Sequence, residues 1–141
     1  MRHPAQHTVS VAGSREGLGR VTEEFERFSS THGLPDPVRR SIQVVLDELL
    51  SNTVRCGGEG GRQVRIDVDF LLEPHALRVE IVDDGTPFNP LERESPDTSL
   101  PLEKRPVGGL GVMLVRHLVD EIAWYGEGGG NRVRLCKRLD A

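Results

Sequence analysis

The amino-acid sequence predicts a two-layer α/β (α+β) sandwich, in which a mixed, largely antiparallel sheet is covered on one face by helices. Three observations predict this class. The length of 141 residues suits a single domain, residues 1–141, with one core. Short segments with alternating apolar and polar residues come in consecutive pairs, as in antiparallel hairpins. The segments between them have apolar residues at helical spacing, and such helices pack as a layer on a sheet.

The first part of the chain predicts one strand and two helices. Residues 7–11 alternate and form the first strand. Ser14 is suited to cap a helix that ends at Gly33, since serine accepts backbone N–H groups at a helix start and glycine ends helices. Asp36, which precedes a proline, is suited to cap a second helix that ends near Cys56.

The remaining elements are two hairpins and a shorter helix. Residues 63–70 and 76–82 alternate on either side of a turn, and residues 122–125 and 132–139 flank a glycine-rich turn. Apolar residues return to helical spacing over residues 109–120. The predicted order is therefore strand, two helices, two strands, a long connection, a helix and two strands.

The long connection differs in composition from the rest of the chain. Prolines recur between residues 86 and 107, together with many charged residues. Proline interrupts helices and central strands, so neither is expected there. A connection of this length in a compact domain is usually a lid or a disordered segment.

Composition excludes several classes of function. The formal net charge is −4, so no global basic field attracts nucleic acid or an anionic membrane. No apolar run approaches the ~20 residues of a membrane helix, and the N-terminus lacks the apolar core of a signal peptide. Cys56 and Cys136 have no metal-binding or redox spacing and are expected as reduced thiols. A cytoplasmic protein is the expectation.

Glu48 and Asn52 are the first candidate site residues. They lie four residues apart in the second predicted helix and therefore point the same way. An asparagine oxygen suits a Mg²⁺ ion whose other ligands are phosphates and water. A glutamate one turn earlier can hold a water or accept a proton from an attacking hydroxyl. The alternative is that both residues lie on the wet face of an amphipathic helix.

Asp83 and the glycines at 108–111 are the second and third candidates. Asp83 ends a predicted strand, two residues before Gly85, and its carboxylate can accept the amino proton of adenine; an ordinary Asp-Gly turn is the alternative. Gly108-Gly109-Leu110-Gly111 precedes and opens a predicted helix, and the free N–H groups at a helix start can bind phosphate. The alternative is that these glycines form a hinge. Leu114 occupies the place of the last glycine of a dinucleotide fingerprint, and no P-loop motif occurs.

The order of these three motifs resembles the ATP-binding domain of the GHKL superfamily (Bergerat fold). Within it, the chain is most similar to the bacterial anti-sigma-factor serine/threonine protein kinases. The family's E-x-x-x-N, D-x-G followed by P-F-x-P, and G-G-x-G motifs correspond to Glu48 with Asn52, to 83–90 and to 108–111. The resemblance extends over about residues 7–139.

The resemblance implies a role for each site residue. Asn52 would ligate Mg²⁺, and Glu48 would be the catalytic base that activates a protein hydroxyl. Asp83 would bind the adenine amino group, with Gly85 beside the ring. The nucleotide phosphates would be bound by the third motif, Gly108, Gly109, Leu110 and Gly111. The segment at about 91–107 would be the ATP lid. Within it, Lys104 or Arg105 would reach the terminal phosphate; the alternative is that both are solvated charges.

Two positions depart from the family pattern. Cys56 stands where relatives often have histidine or tyrosine, and Asn131 stands where many have threonine before the last strand. Asn131 can still hydrogen-bond a phosphate or the base, so we expect it to contribute to nucleotide binding.

The resemblance implies a kinase that uses Mg·ATP. It would phosphorylate a serine or threonine of an anti-sigma-factor antagonist and sequester a sigma factor, and a homodimer is possible. The alternative is a nucleotide-gated regulatory binding module with little or no kinase activity. A detached histidine-kinase catalytic domain is a third option, which the absence of a phospho-acceptor domain from the sequence disfavours.

Overall fold

The computed structural model describes residues 4–92, 109–126 and 128–139. Within these ranges it contains five strands and three helices. The strands are β1 (Ala5–Ala12), β2 (Arg65–Leu72), β3 (Ala76–Asp83), β4 (Glu121–Tyr125) and β5 (Asn131–Arg138). The helices are α1 (Arg15–His32), α2 (Asp36–Cys56) and α3 (Gly109–Leu118). Short 3-10 turns occupy Glu59–Gly61 and Pro90–Glu92.

The strands form one antiparallel sheet in the order β1-β2-β3-β5-β4. The last hairpin therefore joins the sheet through its second strand, β5, and its first strand, β4, forms the edge of the sheet. In this register Asp83, the last residue of β3, lies opposite Asn131, the first residue of β5. The sheet order thus brings together two polar residues that are 48 positions apart.

The helices cover one face of the sheet, as the sequence predicts. Alternate residues of β2, β3 and β5 are buried against α1 and α2, because successive strand residues point to opposite faces. The rings of Phe25 and Phe28 in α1 pack on Phe70 of β2, at centroid distances of 5.1 and 5.9 Å. Helix α2 contacts both α1 and α3 and is the middle member of the layer. The two-layer prediction is confirmed.

The helix ends confirm two of the three predicted signals. Ser14 caps α1 by accepting a hydrogen bond from the Gly17 N–H, and Gly33 ends it with a φ of 65°. Asp36, however, is the first residue of α2 and not its cap. Pro35 occupies the cap position, and no side chain there bonds to the helix start. The Asp36 carboxylate lies 3.6 Å from Arg39 and acts in the first turn, where negative charge is favourable.

Two boundaries differ from the prediction for tertiary reasons. Strand β2 begins and ends two residues later than 63–70, because Leu72 still pairs with both Ala5 of β1 and Leu77 of β3. Helix α3 ends at Leu118, and the Asp120 N–H then donates to the Cys136 carbonyl of β5. In the part of the chain that is described, no helix combines the length and the apolar character needed to span a bilayer.

Candidate functional site

A cavity lies between the C-terminal half of α2, the end of β3 and the last hairpin. Helix α2 contributes Asn52 and Thr53, and β3 contributes Asp83. Trp124 of β4 and Asn131 of β5 form the opposite wall. The cavity therefore gathers residues of the first two motifs at one end of the sheet.

Asn52 and Glu48 each carry a buried atom without a hydrogen-bond partner. Asn52 is only 5% exposed, and neither its Nδ2 nor Oε1 of Glu48 is bonded within the described protein. The carboxamide oxygen of Asn52, Oδ1, accepts a hydrogen bond from the guanidinium of Arg55. Buried polar groups in proteins are nearly always paired, so two such atoms one helical turn apart indicate a place for a polar ligand.

Glu48 lies against the start of α3, not along the wall of the cavity itself. The α-carbon of Gly111 packs directly on its carboxylate: a β-carbon at residue 111 would fall 2.0–2.4 Å from Cδ, Oε1 and Oε2 of Glu48. With Glu48 in this position, any side chain at residue 111 would collide with the carboxylate. The first and third motifs thus meet at one point, where the N-terminal turn of α3 lies over the acid.

Asp83 is buried at the cavity wall, with 7% of its surface exposed. Its Oδ1 accepts hydrogen bonds from the Gly85 N–H (2.8 Å) and from Nδ2 of Asn131 (2.9 Å). Burial raises the pKa of Asp83 above its ordinary value of 3.8, and these hydrogen bonds lower the pKa in part. The Asp-Gly pair is therefore more than a solvent-exposed turn, because its acid is held inside the cavity.

The neighbouring carboxylate, Asp84, has the opposite environment. It is exposed, lies 3.1 Å from Arg62 and accepts the Arg65 N–H at 2.8 Å. The hydrogen bond from Arg65 and the contact with Arg62 lower the pKa of Asp84. Two adjacent aspartates thus have pKa values shifted in opposite directions.

The sequence suggested that Asn131 hydrogen-bonds a phosphate or the base, but in the structure its carboxamide is bonded within the protein. Its side chain is bonded to Asp83, to the loop after β3 and to the Trp124 indole. Trp124, which the sequence motifs do not single out, also lies on the cavity wall. No local sequence signal could have predicted these positions of Asn131 and Trp124, because they depend on the order of β4 and β5 in the sheet.

The segment after Gly85 is tied to both β5 and α3. Within the 3-10 turn, the Leu91 N–H donates to Oδ1 of Asn89 at 2.9 Å, and the Leu91 carbonyl accepts from Arg116 of α3 at 2.8 Å. Most of the predicted lid, together with Lys104, Arg105 and Gly108, lies outside the described residues. Gly109 and Leu110 form the first turn of α3, as predicted.

A comparison with protein-family models identifies the class of this protein. The histidine kinase-like ATPase domain matches residues 11–137, which is nearly the whole chain. The chain belongs to this family, and the site described above lies within the matched range.

Curated relatives narrow the likeness to one group of kinases. The serine-protein kinase RsbW of Listeria monocytogenes serovar 1/2a is 26% identical over 116 residues, covering 79% of this chain and 73% of RsbW. The serine/threonine-protein kinase BtrW of Bordetella bronchiseptica is 24% identical over 98 residues, covering 70% of this chain and 69% of BtrW.

A solved structure supports the fold. The RsbU and RsbW domains of Rv1364c from Mycobacterium tuberculosis superpose with a TM-score of 0.70 at 16% identity. The match covers 96% of this chain and 32% of that one, so the chain spans about one third of that structure. At this identity the likeness shows a shared fold.

Proposed function

We propose that the chain is an ATP-dependent serine/threonine protein kinase of the anti-sigma-factor type. The observation that carries the proposal is the contact of the Glu48 carboxylate, whose buried Oε1 has no described partner, with the N-terminal turn of α3, one helical turn along α2 from the buried side chain of Asn52. A kinase needs a proton acceptor and a metal ligand close to the phosphate-binding turn. Membership of the ATPase family and the likeness to RsbW and BtrW support the same function.

The donor set of α2 fits a magnesium ion. Oδ1 of Asn52 is a neutral oxygen ligand on a buried side chain, and Mg²⁺ takes few protein ligands when a nucleotide supplies phosphate oxygens. In this role Asn52 would exchange its contact with Arg55 for the metal. A bound Mg²⁺ would offset the negative charge of the triphosphate.

Glu48 is proposed as the catalytic base and Asp83 as the reader of adenine. The carboxylate of Glu48 would accept the proton of a substrate hydroxyl as the phosphoryl group is transferred. The Asp83 carboxylate would accept a hydrogen bond from the adenine amino group, with Gly85 beside the ring. The glycines at 108, 109 and 111 and the backbone of Leu110 would bind the phosphates, because N–H groups at a helix start favour anions.

The proposed partners are an anti-sigma-factor antagonist, as phosphoryl acceptor, and a sigma factor, as sequestered partner. Segment 91–107 is proposed as the ATP lid, and a homodimer is compatible with these roles. The test is transfer of ³²P from γ-labelled ATP to antagonist proteins encoded in the same genome. Labelling of a serine or threonine is expected. Nucleotide-dependent sequestration without labelling would instead support the nucleotide-gated binding module.

Replacing Asp83 with asparagine should weaken nucleotide binding and stabilise the free protein. The loss of a charged hydrogen-bond acceptor costs about 1.5–3 kcal/mol, or roughly 10- to 100-fold in ATP affinity. Because burial raises the pKa of Asp83, the ionised form opposes folding at neutral pH. The neutral variant should therefore unfold at a higher temperature at pH 7. Calorimetric titration with Mg·ATP and thermal unfolding check the two effects.

Asp84→Asn is the matched control, because the pKa of Asp84 is lowered and its ionised form favours folding at neutral pH. This variant should unfold at a lower temperature at pH 7 and bind ATP like wild type. In the wild-type protein, ATP affinity should fall on acidification at a pH above 3.8, as Asp83 takes up a proton. If both variants shifted the unfolding temperature in the same direction, the environment assigned to Asp83 would be wrong.

Gly111→Ala should reduce phosphoryl transfer without harming the fold. A β-carbon at this position must displace the Glu48 carboxylate, and misplacing a catalytic group by about 1 Å costs on the order of 100-fold in rate. Alanine meanwhile favours the helix by about 1 kcal/mol over glycine. Gly19→Ala in α1, where a β-carbon meets nothing within 4 Å, is the control and should leave transfer unchanged. Equal rates of phosphoryl transfer in Gly111→Ala and Gly19→Ala would show that the contact between Gly111 and Glu48 does not matter for transfer.

A further inference from the structure

Asn131 joins three parts of the cavity wall. Its Nδ2 donates to Oδ1 of Asp83 (2.9 Å) and to the Thr86 carbonyl (3.0 Å). Its Oδ1 accepts from the Phe88 N–H (2.8 Å) and from the Trp124 indole N–H (2.9 Å). A carboxamide offers two donor hydrogens and two acceptor lone pairs. These four bonds use its full capacity, so Asn131 is suited to hold the site rather than to bind the ligand.

The bond from Asn131 determines which oxygen of Asp83 can receive a ligand. Oδ1 of Asp83 already accepts from the Gly85 N–H and from Asn131, which occupies both of its lone pairs. The Thr53 side chain also hydrogen-bonds this carboxylate, so the acceptor capacity on Oδ2 is what remains for Thr53 and for a base. Two donors on one oxygen also prevent the carboxylate from rotating, so Oδ2 is held in one direction within the cavity.

We propose that Asn131 is a positioning residue for purine selection: it fixes the Asp83 carboxylate as an acceptor and couples it to Trp124 and to the loop after β3. A fixed acceptor favours adenine, which presents an amino group, over guanine, which presents a carbonyl at the same position. This inference rests on the proposed function, because it assumes that the cavity takes a nucleotide. It gives the Asn131 side chain a role that depends on both ends of the carboxamide.

Asn131→Asp tests the donor end alone. Aspartate keeps an oxygen that can accept from Phe88 and Trp124, but it replaces the donor to Asp83 with a second carboxylate oxygen. Like charges at this distance repel, and Asp83 loses its fixed orientation. At pH 8 we expect ATP affinity to fall about tenfold or more. The ratio of ATP to GTP affinity, measured by calorimetric titration of each with Mg²⁺, should fall with it.

Asn89→Asp is the matched control for charge. Oδ1 of Asn89 accepts from the Leu91 N–H, a bond that aspartate keeps, and Asn89 makes no described contact with Asp83. This variant adds the same charge to the neighbouring loop and should retain the wild-type ATP-to-GTP ratio. If Asn131→Asp also kept the wild-type ratio and affinity, the inference would be overturned. If the wild-type protein bound neither nucleotide, the proposed function itself would fail.

A second measurement needs no nucleotide. Trp124 is the only tryptophan of the chain, so its indole N–H gives one resolved NMR signal. Asp83 and Cys56 are the ionisable side chains among the described residues that line the cavity. As the pH is lowered through the titration of Asp83, the indole signal should shift in the wild-type protein, because Asn131 is bonded to both residues. In Asn131→Leu the shift should be lost. The same pH-dependent shift in both proteins would overturn the coupling.

Discussion

Glu48→Gln should retain ATP binding and lose nearly all phosphoryl transfer. Glutamine has the shape of glutamate but cannot accept the proton of a substrate hydroxyl. Removing a general base costs typically about 10²- to 10⁴-fold in rate, and we expect a loss in this range. The expected result is a variant that sequesters its protein partner in a nucleotide-dependent way but does not label the antagonist with ³²P. Single-turnover transfer, followed at saturating Mg·ATP, measures the chemical step directly.

Asp47→Asn is the control for this variant. Asp47 is the preceding residue of α2 and is exposed, and consecutive residues of a helix do not share a face. The same loss of one carboxylate at this position should leave transfer at the wild-type rate. Undiminished transfer by Glu48→Gln would remove the base from the proposed mechanism.

Asn52→Ala should abolish the contribution of magnesium to nucleotide binding. Losing a protein ligand of the metal is expected to cost a few kcal/mol, on the order of 100-fold in affinity for Mg·ATP. The fold should survive, since the substitution removes a buried amide that has an unpaired Nδ2. The measurement is ATP affinity with Mg²⁺ and with EDTA. In the wild-type protein the two values should differ, and in Asn52→Ala they should agree.

Asn52→Asp distinguishes the ligand from the shape of the side chain. Aspartate still offers an oxygen to the metal, so its ATP affinity should continue to depend on Mg²⁺, whereas alanine offers none. A wild-type dependence on Mg²⁺ in the alanine variant would show that the metal is not bound through Asn52.

Local sequence patterns were sufficient to predict the layers of the fold. The period-2 alternation of β2 and β3 and the helical spacing of α1 and α2 each describe one buried face, and burying those faces together requires a two-layer arrangement. Ser14 and Gly33 mark the ends of α1 because capping depends on the conformation of a few neighbouring residues.

The sheet order could not be read in the same way. A hairpin can join a sheet through either of its strands, and its turn does not determine which one. Here β5 pairs with β3, and only this choice places Asn131 opposite Asp83 and Trp124 on the cavity wall. The sequence therefore pointed to Asp83 and Asn131 separately, but neither to the contact between them nor to Trp124.

The third motif illustrates the same limit. Its glycines predicted a phosphate-binding turn or a hinge, both of which are local properties of the chain. The contact of Gly111 with the Glu48 carboxylate is a tertiary property, because it arises where α3 packs on α2. The absence of a side chain at residue 111 allows this contact, whatever the role of Gly111 toward a phosphate.

The central claim, that the cavity between α2, β3 and the last hairpin binds Mg·ATP, is tested most directly by thermal unfolding with and without the nucleotide. A ligand of the native state at 100 times its Kd stabilises the protein by about 2.7 kcal/mol. The midpoint of the wild-type protein should rise at saturating Mg·ATP, and the rise should be much smaller in Asp83→Asn at the same concentration. A wild-type midpoint that millimolar Mg·ATP leaves unchanged would contradict the account.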